Sequence, residues 1–334
     1  MSRDREHDSA AITAAFGAAF DKPAKKSLGQ HFLHERGVIE KMLLAISPKA
    51  GDRFVEIGPG QGALTFPLLE RHGALTAIEF DRDLLEPLTA AAKAHGELTL
   101  INSDVMNVDF TELTRRLDPL SNSPLRGSNS ISPARHVSVP ARDASSENPL
   151  DARAAHPCAA TSVIPFETRI RLVGNLPYNL SSPILFHALD HAASIRDMHF
   201  MLQKEVVDRM AAAPGSKVYG RLSVMLQAYC AVTSLFKVPP GAFRPPPKVD
   251  SAVVRLVPRP PQQIGIDDPR RFADVVRAAF GQRRKTLRNA LGGVCTAEQI
   301  IAAGIDPQTR AEQLQVADFV RLANLAPARA PQDD

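Results

Sequence analysis

Cysteine is scarce in this chain, and its placement excludes two classes of protein. Cys158, Cys230 and Cys295 are odd in number and widely spaced, so they form neither a disulfide framework nor a metal-binding cluster. No apolar run reaches the ~18 residues that a membrane span needs. The first ten residues mix Arg3, Asp4, Arg5, Glu6 and Asp8 with no apolar core directly behind them. A secretory signal is therefore not expected, and the cytoplasm is the expected location. A strong charge of one sign is also missing: the net charge of +4 permits a nucleic-acid partner without demanding one.

What is present is a chain of 334 residues, long enough for a substantial core and two domains. Residues 1–24 read as a loosely ordered extension, followed by a basic, polar loop over 25–33. Val38, Ile39, Met42, Leu43 and Ile46 fall at helical spacing. Strand, turn and helix then alternate. Strands are expected over Arg53–Ile57, Ala74–Glu79 and Leu98–Asn102, with helices over Ala63–Arg71 and Asp83–Ala94. A fourth strand closes at Leu172–Gly174 and a fifth spans His199–Gln203. This alternation predicts an α/β fold with a mostly parallel sheet covered by helices. Ligands in such sheets bind at the carboxyl ends of strands, where Glu56, Glu79, Asp104 and Asn175 all fall.

Two stretches break the pattern. Residues 119–161 contain eight Ser and six Pro and little aliphatic periodicity, which predicts a disordered insertion. His136, His156 and Cys158 within it lack the spacing of a metal site. Residues 239–247 read as a stiff, proline-rich loop between strands at Cys230–Phe236 and Ser251–Val257, behind a helix over Gly220–Tyr229. Beyond a linker at 258–269, Phe272, Val275, Val276, Ala279 and Phe280 trace a helical core face. Thr296 and Gln299 match a capping box, and Asp306-Pro307 is read as opening a last helical region with Val316, Phe319, Val320 and Ala323 inward. A small all-helical domain is placed at 262–326, with a tail at 327–334. Between Arg270 and Asn289 seven basic residues face one acid, Asp274. That patch suits phosphate, although a solvated helix face stands beside it as the plainer reading.

Chemistry concentrates in two motifs. Glu56-Ile57-Gly58-Pro59-Gly60-Gln61-Gly62 is a tight glycine turn after a strand, with Glu79 at the end of the next strand placed for ribose hydroxyls. This arrangement suits NAD as well as S-adenosyl-L-methionine. Glu56 reads equally as a structural carboxylate or a cofactor residue. Asp104 reads either as an acceptor for a cofactor adenine or as a turn cap. Asn175-Leu176-Pro177-Tyr178 favours the methyl donor. An exocyclic adenine amine is a weak nucleophile because its lone pair is shared with the ring. The Asn175 side-chain oxygen and the Leu176 carbonyl could hold its hydrogens and aim the lone pair at a methyl group, without a strong general base. Tyr178 would stack on a base taken out of its helix, and Phe243 could close the other face. A hinge aromatic at 178 and a core aromatic at 243 stand as alternatives.

Several segments together carry a resemblance. Lys26-x-x-Gly29-Gln30-x-Phe32-Leu33, Glu56–Gly62, Gly174–Tyr178, Met201–Val206, Tyr219–Ser223, Phe243–Ser251 and Gln282–Arg288 resemble, in order, the KsgA/RsmA family of ribosomal RNA small-subunit adenine dimethyltransferases. The likeness runs from about Lys25 to Leu325. It implies a Rossmann-like AdoMet-dependent methyltransferase domain at 25–261 and a helical RNA-engaging domain at 262–326. It also implies transfer of four methyl groups to the N6 atoms of two adjacent adenosines in the 3′-end hairpin of 16S rRNA. The substrate would be an assembling 30S subunit, with a role in its biogenesis. By the same resemblance His31, Leu33, Gly58, Glu79, Asp104 and Asn175 form the AdoMet site, joined here by Glu56, Gly60 and Gly62 of the turn. The family often has Asn where this chain has His31. Arg221, Arg244, Lys248, Arg283, Arg284, Lys285 and Arg288 are the expected RNA contacts. A monomer without membrane or metal is expected. Enzymes of large-subunit rRNA, a DNA adenine methyltransferase and a non-catalytic RNA-binding assembly factor are the alternatives.

Overall fold

The computed structural model describes Lys25, residues 30–118 and residues 164–326; the extension at 1–24, the insertion at 119–161 and the tail at 327–334 lie outside the described residues. Elements in chain order are β1 (Phe32–Leu33), α1 (Arg36–Ile46), β2 (Arg53–Ile57), α2 (Thr65–His72), β3 (Ala74–Glu79), α3 (Leu85–Ala92), β4 (Glu97–Asn102) and α4 (Phe110–Arg116). After the gap come β5 (Ile170–Asn175), α5 (Ser181–Asp190), β6 (Ile195–Gln203), α6 (Lys204–Met210), α7 (Arg221–Tyr229), β7 (Cys230–Val238), β8 (Phe243–Arg244) and β9 (Ser251–Pro258). The last part is helical: α8 (Pro261–Ile264), α9 (Pro269–Gly281), α10 (Leu287–Ala290), α11 (Ala297–Ala302) and α12 (Val316–Leu325).

Among the described residues, seven strands form one sheet in the order β4-β3-β2-β5-β6-β9-β7. The five from β4 to β6 are parallel, and β9 runs antiparallel to both β6 and β7. The chain leaves β2 toward β3 and β4, then returns to place β5 on the other side of β2. A crevice opens where the order reverses, at the carboxyl ends of β2 and β5. The strands alternate between two apolar layers, as a pleated sheet must. Val55, Ile57, Leu172 and Phe200 face one cluster, while Phe54, Val173 and Met201 face the other. Burial of both faces explains the short apolar runs Leu172–Val173 of β5 and Phe200–Leu202 of β6.

The first cluster continues without a break into the helices after 261. Tyr229 meets Phe272 edge-on at 6.1 Å, and Phe280 stacks on Phe319 at 5.6 Å. Thr296 and Gln299 form the expected capping box. Two local readings are corrected. The basic run 282–286 is a turn after α9, not a helix, because the helix ends at Gly281 and Gln282 leaves helical geometry (φ −132°, ψ 74°). Asp306 opens a turn by accepting from the Gln308 amide at 2.9 Å, and the helix begins only at Val316. The loops read at 25–33 and 239–247 meet at their described ends. Leu33 pairs with Phe243 and Phe32 with Arg244 in a short antiparallel ribbon, β1–β8.

At the opposite edge of the sheet, Arg53 gathers the flanks of the insertion. Its guanidinium donates to the Thr168 carbonyl at 2.9 Å and to Asp118 at 3.2 Å. The insertion thus leaves and rejoins the fold beside the amino end of β2, away from the crevice.

Candidate active site

The glycine turn begins where β2 ends. Gly58, Gly60 and Gly62 have φ of 67°, 57° and 82°. The Gly62 amide donates to the Pro59 carbonyl at 2.9 Å and closes the turn. Gly62 itself does not line the crevice. A Cβ there would lie 2.3 Å from the Phe66 ring, so its small size serves the seating of α2 against the turn. Gly58 and Gly60 do line it.

The crevice is a cleft of about 300 Å³, at the lower end of the ~300–1,000 Å³ typical of small-molecule sites. Four segments form its wall: Gln30–Leu33, Glu56–Gln61, Ser103–Val105 and Asn175–Leu180, with Glu79 and Phe80 beside them. His31, Leu33, Glu56, Gly58, Gly60, Glu79, Asp104, Asn175, Leu176, Pro177 and Tyr178 are therefore brought together. Three carboxylates, Glu56, Glu79 and Asp104, line the cleft, and no Lys or Arg among the described residues does.

Each carboxylate is held differently. Glu79 accepts from the Gly60 amide at 3.2 Å and from the Asp81 amide at 2.8 Å, so the turn fixes its orientation. Burial pushes its carboxyl up from the ordinary range, against those two bonds. Glu56 is 2% exposed and accepts from the Thr65 hydroxyl at 2.7 Å. Burial raises its pKa to about 8, with the nearby Glu79 adding to the rise. Asp104 accepts from the Met106 amide at 2.9 Å and so does cap a turn, while still lining the cleft.

At the other end of the cleft, Asn175 Nδ2 donates to the His31 carbonyl at 2.9 Å. That bond commits the amide nitrogen and leaves Oδ1 as the acceptor. The Pro177 carbonyl accepts from the Leu180 amide at 3.1 Å and the Ser181 hydroxyl at 3.0 Å. The Tyr178 hydroxyl lies 2.6 Å from Ser251 Oγ on β9, and its ring stacks with His31 at 5.5 Å.

Phe243 is not brought into the cleft. Its side chain is 1% exposed inside the apolar cluster beneath β1, because β8 pairs with β1 and turns it inward. The reading of Phe243 as a second stacking face is corrected to that of a core residue in this arrangement. Several lining residues went unread in the sequence, two of them large, apolar and exposed. Phe80 is 60% exposed just past Glu79, and Leu180 is 39% exposed just past the Asn175–Tyr178 motif. A large apolar residue placed immediately beyond a strand-end acid was the available signal for Phe80.

The expected RNA contacts lie outside the cleft. Arg244 in β8 and Lys248 beyond it are exposed, and Arg283, Arg284, Lys285 and Arg288 are exposed around the turn after α9. Arg283 donates to the carbonyls of Lys217 at 2.9 Å and Tyr219 at 3.2 Å, just before Arg221 at the start of α7. Val218, between those two residues, lines a shallow depression with Lys204 and Lys248 and with the acids Glu205, Asp208 and Asp250. No helix among the described residues is long and apolar enough to cross a membrane.

Comparison with known proteins agrees with this arrangement. Residues 22–327 match the family described as ribosomal RNA adenine dimethylase. A protein of Xanthomonas oryzae pv. oryzae named ribosomal RNA small subunit methyltransferase A is 60% identical over 311 residues, covering 93% of this chain and 99% of its own. A protein of the same name from Xanthomonas campestris pv. campestris is 58% identical over 308 residues, covering 92% and 98%. Among solved structures, a dimethyladenosine transferase from Plasmodium falciparum superposes with a TM-score of 0.61 at 21% identity, covering 87% of this chain and 96% of that one. The 23S rRNA methyltransferase ErmE superposes with a TM-score of 0.58 at 20% identity, covering 88% and 98%. These two share the fold.

Proposed function

The chain belongs to the ribosomal RNA adenine dimethylase family, and from that premise we propose that it dimethylates N6 of two adjacent adenosines in the 3′-end hairpin of 16S rRNA. The substrate in this reading is the assembling 30S subunit, and the methyl donor is S-adenosyl-L-methionine. The enzyme acts as a cytoplasmic monomer.

One observation carries the choice of cofactor. The cleft's lining of hydrogen-bond acceptors at Glu79, Asp104 and Asn175, without a Lys or Arg among the described residues, suits a nucleoside ligand bearing a sulfonium group. A sulfonium cofactor fits that lining. Glu79, oriented by two backbone amides, is placed to accept from ribose hydroxyls, and Asp104 from an adenine amine. Phe80 offers an apolar face beside them. When bound, S-adenosyl-L-methionine supplies an electrophilic methyl group.

The remaining chemistry belongs to the chain. Asn175 Oδ1 and the Leu176 carbonyl accept the hydrogens of the target amine, which draws its lone pair out of conjugation and sets its direction. Both acceptors are fixed before the base arrives, Asn175 by the His31 carbonyl and Leu176 by its own amide bond to Met201 at 3.1 Å. Catalysis then rests on orientation and preorganised dipoles. Tyr178 gives the extruded base a surface to stack on. The basic surface at 217–221, 244–248 and 283–288 engages the phosphates around it.

Asn175→Ala tests the assignment. Single-turnover methyl transfer should fall by about 10²–10³-fold, the loss expected for one preorganised polar group, while RNA affinity stays near that of the parent. Equal loss of both would remove Asn175 from its assigned role.

A further inference from the structure

We propose that Ser251 is a positioning residue that anchors Tyr178 from across the sheet and so sets how far methylation of the target amine proceeds. This rests on the reading of Tyr178 as the stacking surface for the extruded base. Ser251 opens β9, where it pairs with Gln203 of β6 on one side and Val238 of β7 on the other. The residue before it is tied down as well. The Asp250 carbonyl accepts from the Lys204 amide at 2.9 Å, and its carboxylate pairs with Lys237 at 2.7 Å. Ser251 is fully buried and does not line the cleft. A hydroxyl buried so completely needs a hydrogen-bond partner, and its Oγ lies 2.6 Å from the Tyr178 hydroxyl.

Tyr178 is thereby held at both ends. Its backbone lies just past β5, while its phenol is fixed to β9, two strands away in the sheet. Without the second anchor the ring is released to swing about its first side-chain torsion. The chemistry of two successive transfers gives this anchor unequal weight. In each transfer the N6 lone pair forms the new N–C bond, and the methyl–sulfur bond breaks with its electron pair left on sulfur. The N6 cation then loses one proton to solvent. At the first transfer the target amine has two hydrogens for the two acceptors of the motif, Asn175 Oδ1 and the Leu176 carbonyl. The monomethylated amine has one. One acceptor then goes unused, and orientation of the base depends more on the ring it stacks on. A loosened Tyr178 therefore penalises the second transfer more than the first.

Ser251→Ala tests this on 30S particles that lack the modification, with both products followed over time at saturating labelled S-adenosyl-L-methionine. The first transfer should slow about threefold and the second about tenfold, a small share of what misplacement costs. N6-methyladenosine should then accumulate at the target site. Tyr178→Phe keeps the ring and removes the other half of the bond; it should give the same product pattern. The two changes together should cost no more than either alone, because they break one interaction. Equal slowing of both transfers, a parent-like ratio of the two products, or additive losses in the double variant would overturn the proposal and leave Ser251 a structural residue. A fully active Tyr178→Ala would instead remove the reading of the base site on which the proposal rests, so the two failures are distinct.

Discussion

A Cβ on Gly174 would stand 2.4 Å from the carbonyl oxygen of Ile57, the last residue of β2. Strands β2 and β5 approach this closely where the sheet order reverses, and the two motifs of the cleft hang from their ends. Gly174→Ala should therefore push the glycine turn and Asn175 apart. The expected loss is about 1–3 kcal/mol of stability, as for overpacking of a tight site, with weaker S-adenosyl-L-methionine binding. Urea unfolding and calorimetric titration of the cofactor measure the two effects separately.

Glu56 gives a pH signature. Its folded pKa of about 8 lies above the ordinary carboxyl value of 4.5 because burial disfavours the charge. Between those values the folded state binds more protons than the unfolded state. Stability from this group therefore falls as pH rises through the window, with a slope approaching about 1.4 kcal/mol per pH unit. Glu56→Gln keeps an acceptor for the Thr65 hydroxyl and removes the titration. The variant should gain on the parent steadily from pH 5 to pH 8, as measured by urea unfolding at matched ionic strength.

The basic turn after α9 should act through charge rather than chemistry. Arg284→Gln with Lys285→Gln should weaken binding to 30S particles and reduce the magnitude of the log-affinity against log-salt slope by about 1 for each phosphate no longer neutralised. Arg283 is left intact here because it also holds the backbone at 217–219. Single-turnover rate at saturating particle should stay unchanged.

Arg53 holds both flanks of the 119–161 insertion against the amino end of β2. Replacing residues 121–160 with a short Gly/Ser linker should therefore leave thermal unfolding and cofactor affinity close to the parent. A large fall in cofactor affinity would place the insertion in the cleft.

The sheet was legible because each of its parallel strands is an apolar run closed by turn chemistry, as at Ile57-Gly58 and Glu79-Phe80. The site was legible because strand-end acids and amides share one edge of such a sheet. Pairing across the chain was not. The β1–β8 ribbon joins a segment before β2 to one after β7, and nothing local in Phe32–Leu33 or Phe243–Arg244 reports a partner. For that reason Phe243 read as an available ring between prolines while the fold buries it. Gln282–Arg288 read as helix because Gln, Arg and Lys are good helix formers. The chain breaks there after Gly281 to reach the 217–219 segment. Glu56 was undecided between two roles because its partner, Thr65, sits further on, at the start of α2.

The most direct test of the proposed activity is transfer of labelled methyl groups from S-adenosyl-L-methionine to 30S particles that lack the modification, followed by nucleoside analysis and site mapping. The expected product is N6,N6-dimethyladenosine at two adjacent adenosines of the 3′-end hairpin of 16S rRNA. Label confined to 50S precursors or to DNA, or no transfer by an enzyme that still binds the cofactor, would contradict that assignment.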